Sequence, residues 1–151
     1  MGKDINLENK FADGQFKFID EDYEGSIAIF SEILEIDPKF SKAYQARAIA
    51  KFKIGDVEGA LKDLDEAIKC EPDNPKFYYH KSAILFKENL LDEAVEMVSR
   101  AIDLDPSFAS AYYLRYQLLE KLGEEEAAAL DMSQAMALRR EQAKAAKYID
   151  F

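Results

Sequence analysis

Prolines at Pro38, Pro72 and Pro106 stand 34 residues apart, inside the related phrases "EIDPKF", "CEPDNP" and "DLDPSF". A fixed period of about 20–50 residues marks a repeat array, in which each unit buries its apolar side against its neighbours rather than alone. Laid out from Leu7, Ser41, Pro75 and Ala109, the chain falls into four rows in register without a gap. Repeat position 4 reads Lys10, Tyr44, Tyr78, Tyr112, and position 15 reads Glu21, Gly55, Asn89, Gly123. Position 20 reads Ser26, Ala60, Ala94, Ala128, and position 27 reads Ile33, Ala67, Ala101, Ala135.

Each row predicts two helices. The first, over positions 2–14, is rich in helix formers and free of proline in the second row, "KAYQARAIAKFKI". Position 15 ends it, because Gly55, Gly123 and Asn89 tolerate the left-handed conformation that closes a helix. Glu21 tolerates it badly, so the first-row turn is expected to be strained or differently built. Asp22 and Asp56 then serve as N-caps of the second helix. That helix carries Val57, Leu61, Leu64 and Ile68 at helical spacing in row two, and proline at position 32 ends it. Asn74–Pro75 reads as N-cap and first helical residue of row three. Small residues at position 8 (Gly14, Ala48, Ser82), 20 and 27 mark where helix axes come closest, near the lower end of the roughly 8–10 Å range. Ile33 and Tyr116 break that rule in the terminal rows.

A 34-residue helix–turn–helix with aromatic, small, Gly, Ala, Ala and Pro at these offsets resembles the tetratricopeptide repeat. The resemblance runs from Leu7 to about Leu138, with rows 7–40, 41–74, 75–108 and 109–138. It implies an all-α fold: a right-handed superhelical α-solenoid of four helical hairpins, read as one domain over residues 1–151. Row four has Arg140 where the proline belongs, so its second helix is expected to continue through 139–149 as a capping helix.

Chemistry is hard to assemble from what remains. His80 is the sole histidine and Cys70 the sole cysteine, so no histidine pair, zinc cluster or disulfide framework can form. No phosphate-binding glycine motif is present. The carboxylates read as solvated helix faces, and Glu124–Glu126 favours the positive end of a helix dipole. The reading is a protein without catalytic activity, cofactor or metal. No apolar run reaches the roughly 20 residues of a membrane span, and "MGKDINLENK" carries no signal core. A cytoplasmic location is the expectation. A net charge of −10 disfavours a nucleic-acid duplex. Cys70 reads as a small buried hydrophobe rather than a reactive thiol.

That charge is segregated. First-helix segments (7–20, 41–54, 75–88, 109–122) sum to +6, whereas second-helix segments (21–40, 55–74, 89–108, 123–138) sum to −18. In the family, first helices line a concave groove that binds partner peptides. The resemblance therefore implies a protein–protein interaction adaptor, with groove positions 2, 5, 6, 9, 12 and 13. Those positions supply Phe11, Gln15, Phe18, Lys42, Gln45, Ile49, Phe52 and Lys53 in the first two rows. The last two supply Lys76, Tyr79, His80, Phe86, Lys87, Tyr113 and Gln117. Aromatics give contact area and lysines steer an acidic partner, so a peptide combining acidic and apolar side chains is expected. Two readings of Phe18, Phe52 and Phe86 stand open. They line the groove, or they replace the core aromatic that Lys17 and Lys51 displace at position 11.

The family's clamp for chaperone C-termini is not supported. Phe11, Gln15, Ala46 and His80 stand where it needs Lys, Asn, Asn and Arg, and only Lys76 matches. A second function reading is self-association through the C-terminal helix, since "KAAKYIDF" ends in apolar Tyr148, Ile149 and Phe151. A third makes the chain an interaction module of a larger protein.

Overall fold

A computed structural model describes residues 6–149, with side chains through residue 147. Among the described residues there are eight helices and no strand. In chain order these are α1 (Leu7–Ile19), α2 (Tyr23–Ile36), α3 (Ser41–Lys53), α4 (Val57–Cys70), α5 (Pro75–Lys87), α6 (Leu91–Leu104), α7 (Ala109–Lys121) and α8 (Glu125–Ile149). None of the described helices is long and apolar enough to cross a membrane. The fold is an all-α array of four helical hairpins, one per row.

The turns explain the boundaries. Position 15 has positive φ in every row: 62° at Glu21, 88° at Gly55, 60° at Asn89 and 80° at Gly123. The first-row turn is thus strained rather than differently built. In all four hairpins the next residue donates its N–H to the carbonyl five residues back, Asp22 to Lys17 at 2.8 Å and Asp56 to Lys51 at 2.9 Å. Leu90 to Leu85 and Glu124 to Leu119 repeat the bond at 2.9 Å. This left-handed closure satisfies helix-end carbonyls that would otherwise lack a donor. The expected caps form. Gly25 N–H donates to Asp22 Oδ1 at 3.0 Å, and Gly59 N–H to Asp56 Oδ1 at 2.9 Å. Lys76 N–H donates to Asn74 Oδ1 at 3.0 Å, with Pro75 at the first helical position.

The helices fall into two compact units, Met1–Pro72 with α1–α4 and Asp73–Phe151 with α5–α8. In the first unit Phe11, Phe30, Ile33, Leu34 and Ala43 form one buried cluster, with Leu7, Phe40 and Tyr44 packed against it. Gly14 sits so close to Phe30 that a Cβ there would run into the ring. The larger Ile33 at position 27 is accommodated with no exposure. In the second unit Phe77, Leu85, Val98, Ile102, Leu114 and Leu118 are buried. Ser82 fits the small-residue position by donating its hydroxyl to Ala94 O at 2.7 Å. Tyr116, the last-row exception there, is half-buried and packs its ring 5.7 Å from Tyr113. Helix α8 runs unbroken for 25 residues, through Arg140 where earlier rows have proline.

Candidate functional site

The first unit has an open apolar notch of about 230 Å³ between α1 and α3. Gln15, Phe18 and Ile19 line it from α1, Ala46 and Ile49 from α3, and Phe30 from beneath. Phe18 is half-buried and rests its ring edge-on against Tyr23 at 5.2 Å. Phe52 and Ile49 are likewise half-buried, while Gln15 and Lys53 are exposed and Gln45 lies between. Neither Phe18 nor Phe52 is absorbed into the core.

Two expected groove residues are placed differently. Phe11 is buried, with its ring 5.3 Å from Phe30 and 5.8 Å from Phe40, so it belongs to the core. Position 5 in row one lies over that core because Leu7 and Phe40 close around it. Lys42 is exposed but engaged, since its Nζ meets Glu8 Oε2 at 2.6 Å and lies 4.9 Å from the Phe11 ring centre.

The second unit presents an aromatic surface. Tyr79 packs 5.4 Å from His80 and 5.0 Å from Phe108. Arg139 of α8 lies 5.6 Å above Tyr113, and Lys121 lies 5.7 Å above Phe86. Gln117 is half-buried, and Lys76 and Lys87 are exposed. Burial pushes the His80 imidazole below its ordinary value, and the neighbouring Lys76 charge adds to this, so a neutral ring is favoured. Gln142 donates to Ser107 O at 3.2 Å, tying the α8 extension to the loop ahead of α7. Tyr148, Ile149 and Phe151 lie outside the residues whose side chains are described. Cys70 is half-buried rather than buried, and burial with the Glu66 charge raises its thiol above the usual range.

One polar constellation went unread in the sequence. Arg47 Nε and Nη2 donate to Asp63 Oδ2 and Oδ1 at 2.8 and 2.7 Å, and Nη1 donates to Ser31 Oγ at 3.0 Å. Lys51 adds a 3.0 Å contact to Asp63, which explains a lysine where the family has an aromatic. The second unit repeats the clasp. Arg115 donates to Asp131 at 2.7 and 2.9 Å and to Ser99 Oγ at 3.2 Å. Serine, arginine and aspartate each recur after 68 residues, 31 to 99, 47 to 115 and 63 to 131, and that doubled period was the available signal. The hydrogen bond to each carboxylate outweighs burial and raises both guanidinium pKa values. The clasp holds α2, α3 and α4 together in one unit and α6, α7 and α8 in the other.

The tetratricopeptide repeat family model matches residues 46–107. Among solved structures, a crystal structure of MamA superposes with TM-score 0.83 at 22% identity, covering 92% of this chain and 81% of that one. MamA 41-end from Desulfovibrio magneticus RS-1 gives 0.79 at 21% identity, covering 91% and 77%. The first TPR of Spaghetti (RPAP3) bound to the HSP90 peptide SRMEEVD gives 0.73 at 21% identity, covering 81% of this chain and 99% of that one. At these identities the likeness is one of fold. No curated protein matches the sequence.

Proposed function

We propose, since this chain belongs to the tetratricopeptide-repeat family, that it is a non-catalytic adaptor that holds an extended peptide bearing acidic and apolar side chains on its first-helix faces. The observation that carries this reading is the notch between α1 and α3. Phe18 and Ile49 leave apolar surface there that the core does not use, in a recess open to solvent. Pockets of this kind take the anchoring side chain of a partner, while flanking charges set its register. Lys53 in the first unit and Lys76 and Lys87 in the second are exposed on the first helices, whose segments total +6. A neighbouring fold holding the acidic peptide SRMEEVD supports the view that such hairpins accept carboxylate-bearing chains. The chaperone clamp itself is not proposed, since four of its five positions are occupied by other residues.

Fluorescence anisotropy with three labelled heptapeptide sets, acidic–apolar, basic–apolar and uncharged polar, tests the reading. The acidic–apolar set should bind selectively and weaken as salt is raised. Ile49→Asp should abolish that binding while leaving thermal unfolding in place, and Lys53→Glu should reduce it. Equal affinity for all three sets, or acidic–apolar binding indifferent to Ile49→Asp, refutes it.

A further inference from the structure

Two helix faces, one on α1 and one on α8, are uncovered although their counterparts elsewhere in the chain are packed. Within the first unit α3 meets α2 through repeat positions 3, 7 and 10. Ala43 and Ala50 are fully buried there, and Arg47 reaches Ser31. Within the second unit α7 meets α6 in the same way, with Ala111 and Leu118 fully buried and Arg115 on Ser99. On α1 those three positions are Asn9, Asp13 and Phe16, all exposed, with Phe16 at 65%.

The opposite half of the contact comes from positions 25 and 28 of a second helix. On α2 these are Ser31 and Leu34, the latter 8% exposed, and on α6 they are Ser99 and Ile102, the latter 7% exposed. On α8 they are Ser133 and Met136, both exposed, with Met136 at 50%.

We infer that the α8 face of one molecule receives the α1 face of a second copy, reproducing between molecules the contact made twice within the chain. Each face carries one large apolar side chain, and the residues at the same position are buried on α3 and α7 for Phe16 and on α2 and α6 for Met136. The polar pair also matches. The internal register sets position 7 against position 25, so Asp13 would meet Ser133. A serine hydroxyl that accepts from arginine inside the chain can donate to a carboxylate between chains. Because the two faces differ, the contact is head-to-tail and propagates rather than closing as a symmetric pair. With each copy carrying −10, association should strengthen as salt screens repulsion, opposite in sign to the proposed peptide binding. The surface is distinct from the notch lined by Phe18 and Ile49.

Sedimentation velocity over a concentration series, at about 150 mM and about 500 mM NaCl, reads the association directly. The wild-type chain should form concentration-dependent oligomers that grow at the higher salt. Phe16→Glu and Met136→Glu should each be monomeric with unfolding curves like wild type, both side chains being exposed. Each variant keeps one intact face, so an equimolar mixture should yield a two-chain species and nothing larger. A wild-type chain that stays monomeric throughout overturns the inference. So does a mixture that stays monomeric, or an oligomer that survives in either variant alone.

Discussion

The two clasps look alike but differ in one residue, and that difference predicts unequal losses from the same substitution. Asp63 and Asp131 have side chains only 5% and 8% exposed. Deleting one partner of a buried ion pair costs about 3–5 kcal/mol, chiefly because the survivor stays buried without its counter-charge. Arg115→Met leaves Asp131 in that position, since Leu119 stands where the first unit has Lys51. The guanidinium is one-quarter exposed, so a loss of about 2–4 kcal/mol is expected. Arg47→Met should cost less, about 1–2 kcal/mol, because Lys51 remains 3.0 Å from Asp63. Replacing both partners, Arg115→Met with Asp131→Leu, should recover most of the loss, to within about 1 kcal/mol of wild type. The guanidinium pKa values are raised, so their contribution is complete below the unfolded arginine value and is lost only in strong alkali. The ranking should therefore hold across neutral pH. Urea unfolding read at constant slope gives the energies, and hydrogen exchange assigns the Arg115 loss to α6–α8. Equal losses at Arg47 and Arg115, or a double variant no better than Arg115→Met, would refute the reasoning.

Three further substitutions probe the fold and the site. Glu21→Gly should stabilise by roughly 0.5–1 kcal/mol in thermal or urea unfolding, because the residue at φ 62° is the least suited of the four left-handed closures. Gly14→Val should destabilise by about 1–3 kcal/mol, since even a Cβ runs into the Phe30 ring. His80 has a folded pKa below its unfolded one, so protonation favours unfolding. Stability should be greatest above about pH 6.5 and fall as the pH drops through the folded value, and His80→Gln should flatten that slope in unfolding curves from about pH 5 to 7.

The helices and their ends were legible because they rest on local chemistry. Proline at position 32, aspartate at 22 and 56, and a left-handed position 15 act within a few residues of where they stand. Even the awkward Glu21 stood out as a turn either strained or differently built, and its φ of 62° makes it the former. The side-chain placements were less legible where they depend on what lies one helix away. Phe11 shares its repeat position with Gln45, Tyr79 and Tyr113, and nothing local says that Phe30 and Phe40 will close over it. Lys42 read as a free steering charge, yet its partner Glu8 lies one full repeat earlier, at the same position in the row.

The clasp was missed for a related reason. A search at 34 residues averages over the alternation that identifies it. Position 7 reads Asp13, Arg47, Lys81, Arg115, and position 23 reads Ile29, Asp63, Met97, Asp131, so neither column looks consistent at that spacing. At 68 residues the arginine and the aspartate it faces recur together in rows two and four, while rows one and three carry Asp13 and Lys81 at position 7 and apolar Ile29 and Met97 at position 23. The chain thus uses one two-hairpin module twice, its second hairpin closed by a buried ion pair and fastened to the first by the arginine's hydrogen bond to serine. Burying charge rarely adds stability over a well-packed apolar core. What the bidentate geometry adds is register, because a guanidinium forked onto one carboxylate and donating to one serine fixes three helices at a single relative setting. In the first unit that setting fixes how far α3 stands from α2 and α4. The α1–α3 notch takes two of its lining residues, Ala46 and Ile49, from the same turns of α3 as Arg47. Under the proposed peptide binding, Arg47→Met should therefore weaken capture in the anisotropy assay, although the guanidinium is engaged with Asp63 and Ser31 rather than lining the notch.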